Sequence, residues 1–268
     1  MSIVEKVRKK KVLKKRIKKK VVKKTRPVVR ENPKVIAPPP SVIGIIDDVI
    51  EADKEVVRFF RPSMFHGCPR ANVFHHVMAP RHPQRITNRL RRILDNGSAV
   101  HEWVQEHYLS RHLKYWFIKE PKVLAKINGA YVRGSCDGVF IRRSDGYRFG
   151  IEFKTIGHTY FERLTKPKPE HVLQARIYMR LQKLDYIVIV YWDKDKQFLK
   201  EFPVKADDAE WKKITQRVKK FKGYADKYDA AKNDRDRAKA LPVYNRKVCD
   251  PDFCTYTDYC KKMGAPLP

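Results

Sequence analysis

AYVRGSCDGVFIRRSDGYRFGIEFKT, residues 130–155, is the stretch whose reading decides the fold. Ala130–Ile141 reads as a strand, Ser144-Asp145-Gly146 as a turn, and Tyr147–Thr155 as the returning strand. Just upstream, Val123–Ile127 is joined to Ala130 by Asn128-Gly129, a two-residue hairpin signal, because both positions tolerate the left-handed backbone such a turn needs. Side chains alternate across a strand, so Glu152 and Lys154 share one face and Phe153 points to the other, into the core. Pairing across the hairpin brings Asp137 toward Glu152. Gly134 and Gly138 flank Asp137 and leave room for a ligand or another segment to come close.

Two carboxylates held together repel unless a cation lies between them, and hard oxygen donors suit Mg²⁺ or Mn²⁺. A lysine beside such an ion can orient or deprotonate a water, or stabilise charge on a phosphate. The chemistry this set suits is phosphodiester hydrolysis. An E-x-K triplet alone is ordinarily a solvated strand face, so its neighbours matter. His101, near the start of a helix opening at Gly97, can offer an imidazole to a metal. Gln174 and Tyr178 stand four apart, on one face of a helix predicted from about Pro169 to Lys183.

Working outward, Val42–Arg61 and Gln84–Leu94 have helical patterning, and the Gly97 helix runs to about Leu113. Tyr186–Trp192 and Gln197–Val204 read as strands, and a charged helix begins near Asp207 and extends toward Ala240. The order is that of an α/β protein, a small mixed sheet flanked by helices. The organisation expected is a disordered basic arm over 1–40, a helical region over 41–96 carrying Cys68, a core over 97–205, and a C-terminal helix with a Cys-rich segment over 206–268.

The order G-x-x-x-H (Gly97 to His101), G-x-x-D-G (Gly134 to Gly138), E-x-K (Glu152 to Lys154) and Q-x-x-x-Y (Gln174 to Tyr178) resembles the RecB-like branch of the PD-(D/E)xK nucleases. That branch includes nuclease domains of bacterial recombination complexes, CRISPR-adaptation exonucleases and many phage exonucleases. The likeness runs from about Cys68 to Cys260. It implies a restriction-endonuclease-like core and metal-dependent cutting of DNA, with free ends or single-stranded stretches as substrate and a helicase or recombination protein as possible partner. It further implies that His101, Asp137, Glu152 and the Phe153 carbonyl bind Mg²⁺ or Mn²⁺. Lys154 would be the catalytic lysine, and Gln174 and Tyr178 would position the scissile strand. Glu102 and Glu120 could each add a carboxylate.

Of five cysteines, Cys249, Cys254 and Cys260 fall in the last twenty residues, a clustering that points to a metal or cluster site. The odd count argues against a disulfide framework. With Cys68 upstream, the arrangement resembles the iron–sulfur members of the same family, in which one cysteine precedes the core and three follow it. That resemblance implies a [4Fe–4S] cluster tying the chain ends together as a C-terminal staple. The first C-terminal gap is four residues here where those relatives often have two. A tetrahedral Cys₄ zinc site is therefore the alternative, and free cysteines the plainest one. Cys136, next to Asp137 but on the opposite face, reads as a small core residue. His66, His75, His76 and His82 read as surface histidines of a basic region.

The net charge of +30 identifies polyanionic partners. Sixteen Lys or Arg and two acids lie within the first 34 residues, and removing them from totals of 60 and 30 leaves 44 basic against 28 acidic. The body is therefore basic even without the arm. No apolar run approaches a bilayer span and no continuous apolar leader is present, so the chain reads as intracellular, cytoplasmic and not membrane-bound. The competing classes are a non-catalytic nucleic-acid-binding protein on the same scaffold and a protein that uses the arm at a membrane surface.

Overall fold

The alternation read through Ala130–Ile141 does not stay in one sheet. The computed structural model describes residue 41 and residues 58–82, 87–249 and 254–266. Expectations for the arm over 1–40 and for Val42–Val57 lie outside the described residues. Two mixed sheets form. Strands β1 (Phe59–Phe60), β3 (Lys122–Ile127) and β4 (Ala130–Ser135) make a three-stranded sheet ordered β1-β4-β3. Strands β2 (Tyr115–Lys119), β5 (Gly138–Arg142), β6 (Arg148–Ile156), β7 (Tyr186–Asp193) and β8 (Leu199–Lys205) make a five-stranded sheet ordered β2-β5-β6-β7-β8. Only β1–β4 and β6–β7 are parallel among the described strand pairs. The expected single strand thus leaves one sheet after Ser135 and enters the other at Gly138, with Cys136 and Asp137 at the crossing.

Both predicted turns form as read. Asn128 and Gly129 have φ of 47° and 80°, and Gly146 has φ of 73°. Strand β2 was not anticipated. Tyr115 and Phe117 meet Phe140, while Trp116 and Ile118 stay exposed, so apolar residues on both faces hide the period-two signal.

The helices are α1 (Pro69–His76), α2 (Asn88–His107), α3 (His158–Arg163), α4 (Pro169–Gln182), α5 (Asp208–Ala230), α6 (Asp234–Ala240) and α7 (Thr257–Lys262). Together with the sheets they make the expected α/β architecture. The parallel β6–β7 pair needs a crossover, and α4 supplies it, ending at Lys183 in the left-handed conformation. Where they are described, the two predicted helices Gln84–Leu94 and Gly97–Leu113 are one, ending at His107, and residues 84–86 lie outside the described residues. Thr87 caps α2 by accepting from the Leu90 N–H, and Gly97 lies inside it. A side chain at Gly97 would come within 3.1 Å of Thr155 Oγ1, so this glycine serves packing on β6 and does not start a helix. The single helix expected over Asp207–Ala240 is broken at Ala231, and Asn233 caps α6 through the Asp236 N–H. Phe59–Phe60 is strand where a helix was expected. Short helix α3 was not foreseen. No described helix is long and apolar enough to cross a membrane.

Three apolar clusters hold these layers. Ala175, Tyr178 and Met179 of α4 pack on Ile187, Ile189 and Tyr191 of β7, with Cys136 and Val139. The far side of α4, through Ile177, meets Phe60, Val132 and the α5 residues Ile214, Val218 and Phe221. A third cluster joins α1, the end of α5 and α7 through Val73, Phe74, Ala225, Tyr228, Tyr256 and Met263. Each large apolar side chain so buried contributes roughly 1.5–3 kcal/mol. The C-terminal tail is therefore tied to α1 by apolar burial whatever the cysteines hold. His75 and His76 belong to this region and are buried, contrary to the surface reading. Burial first, and then nearby cations, lower each to a pKa of about 4.

Candidate active site

Asp137 is held where it is by its backbone as much as by its side chain. Its carbonyl accepts from Gln105 Nε2 at 2.8 Å and from the Glu120 N–H at 3.3 Å. Gly138 and Gly134 make the sheet crossing possible. A methyl on Gly138 would overlap the Phe117 ring, and one on Gly134 would lie 2.8 Å from the Tyr178 hydroxyl. The last β5–β6 backbone pair is Gly138 with Ile151, and the Asp137 carboxylate extends that ladder, Oδ2 accepting from the Phe153 N–H at 2.6 Å. A charge-assisted bond of this kind contributes about 1.5–3 kcal/mol. His101 Nε2 stands 3.0 Å from the same oxygen. Burial lowers the His101 pKa, but the Asp137 hydrogen bond and charge outweigh it and the net shift is upward.

Glu152 is fully buried on β6, close enough to Tyr178 of α4 for its charge to act on that phenol. Lys154 Nζ donates to Glu152 Oε1 at 2.7 Å, which the shared strand face foretold. Glu152 Oε2 is buried with no hydrogen-bond partner among the described residues. Burial and the Asp137 charge push the Glu152 carboxyl up to about 7, against the pull of Lys154 and His101. Burial pulls Lys154 down, yet Glu152 and Asp137 prevail and its pKa is raised. Phe153 is buried on the opposite face, its ring 5.8 Å from those of His101 and Trp192.

A cleft of about 590 Å³ is lined by Leu94, Gly97, Ser98, His101, Glu102, Lys119, Glu120, Phe153, Lys154 and Thr155, so His101 and Lys154 reach it while Asp137 and Glu152 stand behind them, outside the lining. Glu102 and Glu120 thus face the same space as His101 and Lys154. Tyr178 lies beneath the site, nine-tenths or more buried, and burial raises its pKa, with Glu152 and Asp137 adding to the shift and a bond from Gln174 opposing it. Gln174 is half-buried on the same helix. Cys136 is fully buried in the apolar cluster beside Ala175, as a core residue should be, and burial lifts its thiol to about 12.

Sequence reasoning missed Gln105, yet a signal was there. It stands four residues after His101, one helical turn on, so both side chains reach Asp137 from a single face of α2. It also missed His171 of α4, hydrogen-bonded to Tyr191, which is the partner of Lys154 in the β6–β7 ladder.

Cys68, Cys249, Cys254 and Cys260 line one small cavity with Arg70, Phe74 and Tyr256. Arg70 is buried, donating to Cys260 Sγ at 3.4 Å and to the Pro242 carbonyl at 2.9 Å. Burial raises the Cys254 and Cys260 thiols, and the other cysteines add to the shift in each case. The cavity volume is about 10 Å³. Among the described residues, no three His, Cys, Asp or Glu side chains already stand as the ligands of a metal ion.

No family model matches the sequence, and no curated protein matches it. Among solved structures, SSO0001 superposes with a TM-score of 0.48 at 18% identity, over 81% of this chain and 92% of that one. An alkaline exonuclease from Laribacter hongkongensis gives 0.47 at 17% identity, over 63% and 89%. A phage-related exonuclease from Haemophilus somnus gives 0.42 at 14% identity, over 64% and 95%. At such scores the likeness is one of general layout, and any functional assignment rests on the side chains described above.

Proposed function

We propose that this chain is a divalent-metal-dependent deoxyribonuclease that hydrolyses phosphodiester bonds, acting on DNA ends or single-stranded stretches. The observation that carries the reading is Glu152: a buried carboxyl, pushed up to about 7, with one oxygen on Lys154 and the other without a partner among the described residues. A buried polar atom without a partner is costly in an ordinary core, and a cation is the partner a carboxylate oxygen suits. Against this stands the lack, among the described residues, of a ready group of three ligands, because His101 and Lys154 are paired with the carboxylates. The orphaned oxygen weighs more, since ion pairs of mobile side chains re-form cheaply and a buried carboxylate does not move.

The residues that would hold Mg²⁺ or Mn²⁺ are Asp137 and Glu152, with His101 and the Phe153 carbonyl. The chemistry such an ion supplies when bound is polarisation of a phosphate oxygen and a lowered pKa of water. The rest falls to the chain. Asp137 is aimed by the Phe153 N–H. Glu152 holds the Lys154 ammonium at the cleft wall, where it can donate to a phosphate oxygen as negative charge builds up there. Gln174 and Tyr178 support that face from α4.

Asp137→Ala, Glu152→Ala and Lys154→Ala should each lower cleavage of labelled linear DNA by about a hundredfold to a thousandfold while DNA binding persists. Wild-type rates in all three would sink the assignment. Comparing 5′-labelled, 3′-labelled and circular substrates reads the mode of cutting. A non-catalytic scaffold, which the mutual pairing of His101 with Asp137 favours, predicts binding that is indifferent to Mg²⁺ and no cutting at all.

The four cysteines form a single metal centre in this reading. Their thiol chemistry suits a [4Fe–4S] cluster or a Cys₄ zinc site. The small cavity favours a single ion, since a cubane needs the thiols to part. Anaerobically purified protein that is brown and carries about four irons per chain supports the cluster. Colourless protein carrying one zinc replaces the cluster with the alternative.

A further inference from the structure

Helix α4 carries a third polar side chain near the site, His171, one turn before Gln174. Its partner is Tyr191, the β7 residue that pairs with Lys154 in the parallel β6–β7 ladder. Tyr191 is completely buried. Its hydroxyl has two hydrogen-bond partners, the Lys168 backbone N–H at 2.9 Å and His171 Nδ1 at 2.8 Å. The backbone amide can only donate. The phenol therefore has its own proton still to give, and Nδ1 is the acceptor within reach. The opposite arrangement, with Nδ1–H donating to the phenol oxygen, would leave a buried hydroxyl proton with no acceptor.

An imidazole that accepts at Nδ1 and is uncharged carries its hydrogen on Nε2. Burial first, and then the charge of Lys154, hold the His171 pKa at about 4, so the ring is neutral at physiological pH. Lys154 is the charge that acts on this ring most strongly, and Asp137 is felt as well. No other hydrogen bond to a described residue engages Nε2, on a ring that is only half-buried. The relay from Lys168 N–H through the Tyr191 hydroxyl to Nδ1 thus fixes one donor, Nε2–H, on a residue whose partner Tyr191 is the strand neighbour of Lys154.

We propose that His171 contacts the substrate: its Nε2–H, locked in one tautomer by Tyr191, donates to a non-bridging oxygen of the phosphodiester alongside Lys154. This rests on the nuclease reading above. Lys154 brings charge and His171 brings direction, and a neutral ring adds a donor without setting a second cation against the ammonium. A histidine that merely satisfies Tyr191 is the competing account, and it predicts a role in stability alone.

The test uses the full chain. In EDTA, where cutting is halted, a two-bond proton–nitrogen correlation spectrum of ¹⁵N-labelled protein reads the His171 tautomer before and after a short single-stranded oligonucleotide is added. The expected result is the Nε2–H form, with its Nε2 signal displaced by the oligonucleotide. With Mg²⁺, His171→Asn should cut about tenfold to a hundredfold more slowly at an unchanged melting temperature, because Asn can still accept from Tyr191 but has no donor at the Nε2 position. His171→Gln, whose amide nitrogen reaches that position, should recover much of the loss. An Nδ1–H tautomer, an Nε2 signal unmoved at saturation, or wild-type cutting by His171→Asn overturns the proposal. Should the wild type cut nothing while Nε2 still shifts, the phosphate contact stands and the nuclease reading falls.

Discussion

Glu152 puts a carboxyl where water does not reach, with the Asp137 carboxylate near it and the Lys154 ammonium on one of its oxygens. Its folded pKa of about 7 lies above the ordinary 4.5, so the folded state holds this proton more tightly than the unfolded chain does. The contribution to stability is complete below about 4.5 and is lost as pH rises through about 7. In EDTA, the difference in urea midpoint between wild type and Glu152→Gln should change in that window, the variant being the flatter of the two. Adding Mg²⁺ at about pH 8, above the folded pKa, should restore wild-type stability and leave the variant unmoved. Parallel pH profiles for the two proteins would mean that Glu152 titrates normally.

Between elements, the decisive event is the passage from β4 to β5. Gly138 enters the second sheet under the Phe117 ring of β2, and the preceding residue is thereby aimed at β6. Gly138→Ala should destabilise the fold by about 1–3 kcal/mol through overpacking. It should also slow cutting by moving Asp137 off the Phe153 N–H. Phe117→Leu in the same chain should return part of both losses, a coupling that a double-mutant cycle of denaturation midpoints would measure. Additive effects would mean that the two side chains do not share the space. Helix α2 works at the same scale. Gly97 lets it settle on Thr155, and His101 and Gln105 then reach Asp137 from one helical face.

For the whole molecule, charge is the property that bears on the proposed partner. At +30 the chain should bind linear DNA with an affinity that drops by about a thousandfold or more between about 50 and about 200 mM salt, as expected when at least six phosphates are neutralised. Fluorescence anisotropy of a labelled oligonucleotide over a salt series checks this, and a flat profile would remove nucleic acid as the ligand. A chain lacking residues 1–40 should show a shallower slope if the sixteen basic residues there touch phosphates, and the same slope if that segment only adds charge.

Much of the candidate site's geometry was legible in sequence because its logic is local. Strand alternation puts Glu152 and Lys154 on one face, the Asn128-Gly129 and Asp145-Gly146 turns set the hairpins, and Pro169 opens the helix that carries Gln174 and Tyr178. These signals act over two to four residues, which is the reach of backbone sterics and helical spacing. Tertiary structure alone decided the rest. The sheet change at Cys136-Asp137, the merging of two predicted helices across Gly97, the burial of His75 and His76, the meeting of Cys68 with the C-terminal cysteines, and the Lys168–Tyr191–His171 relay each depend on contacts with distant parts of the chain. Burial and proton placement are properties of the packed whole, and no window of sequence contains them.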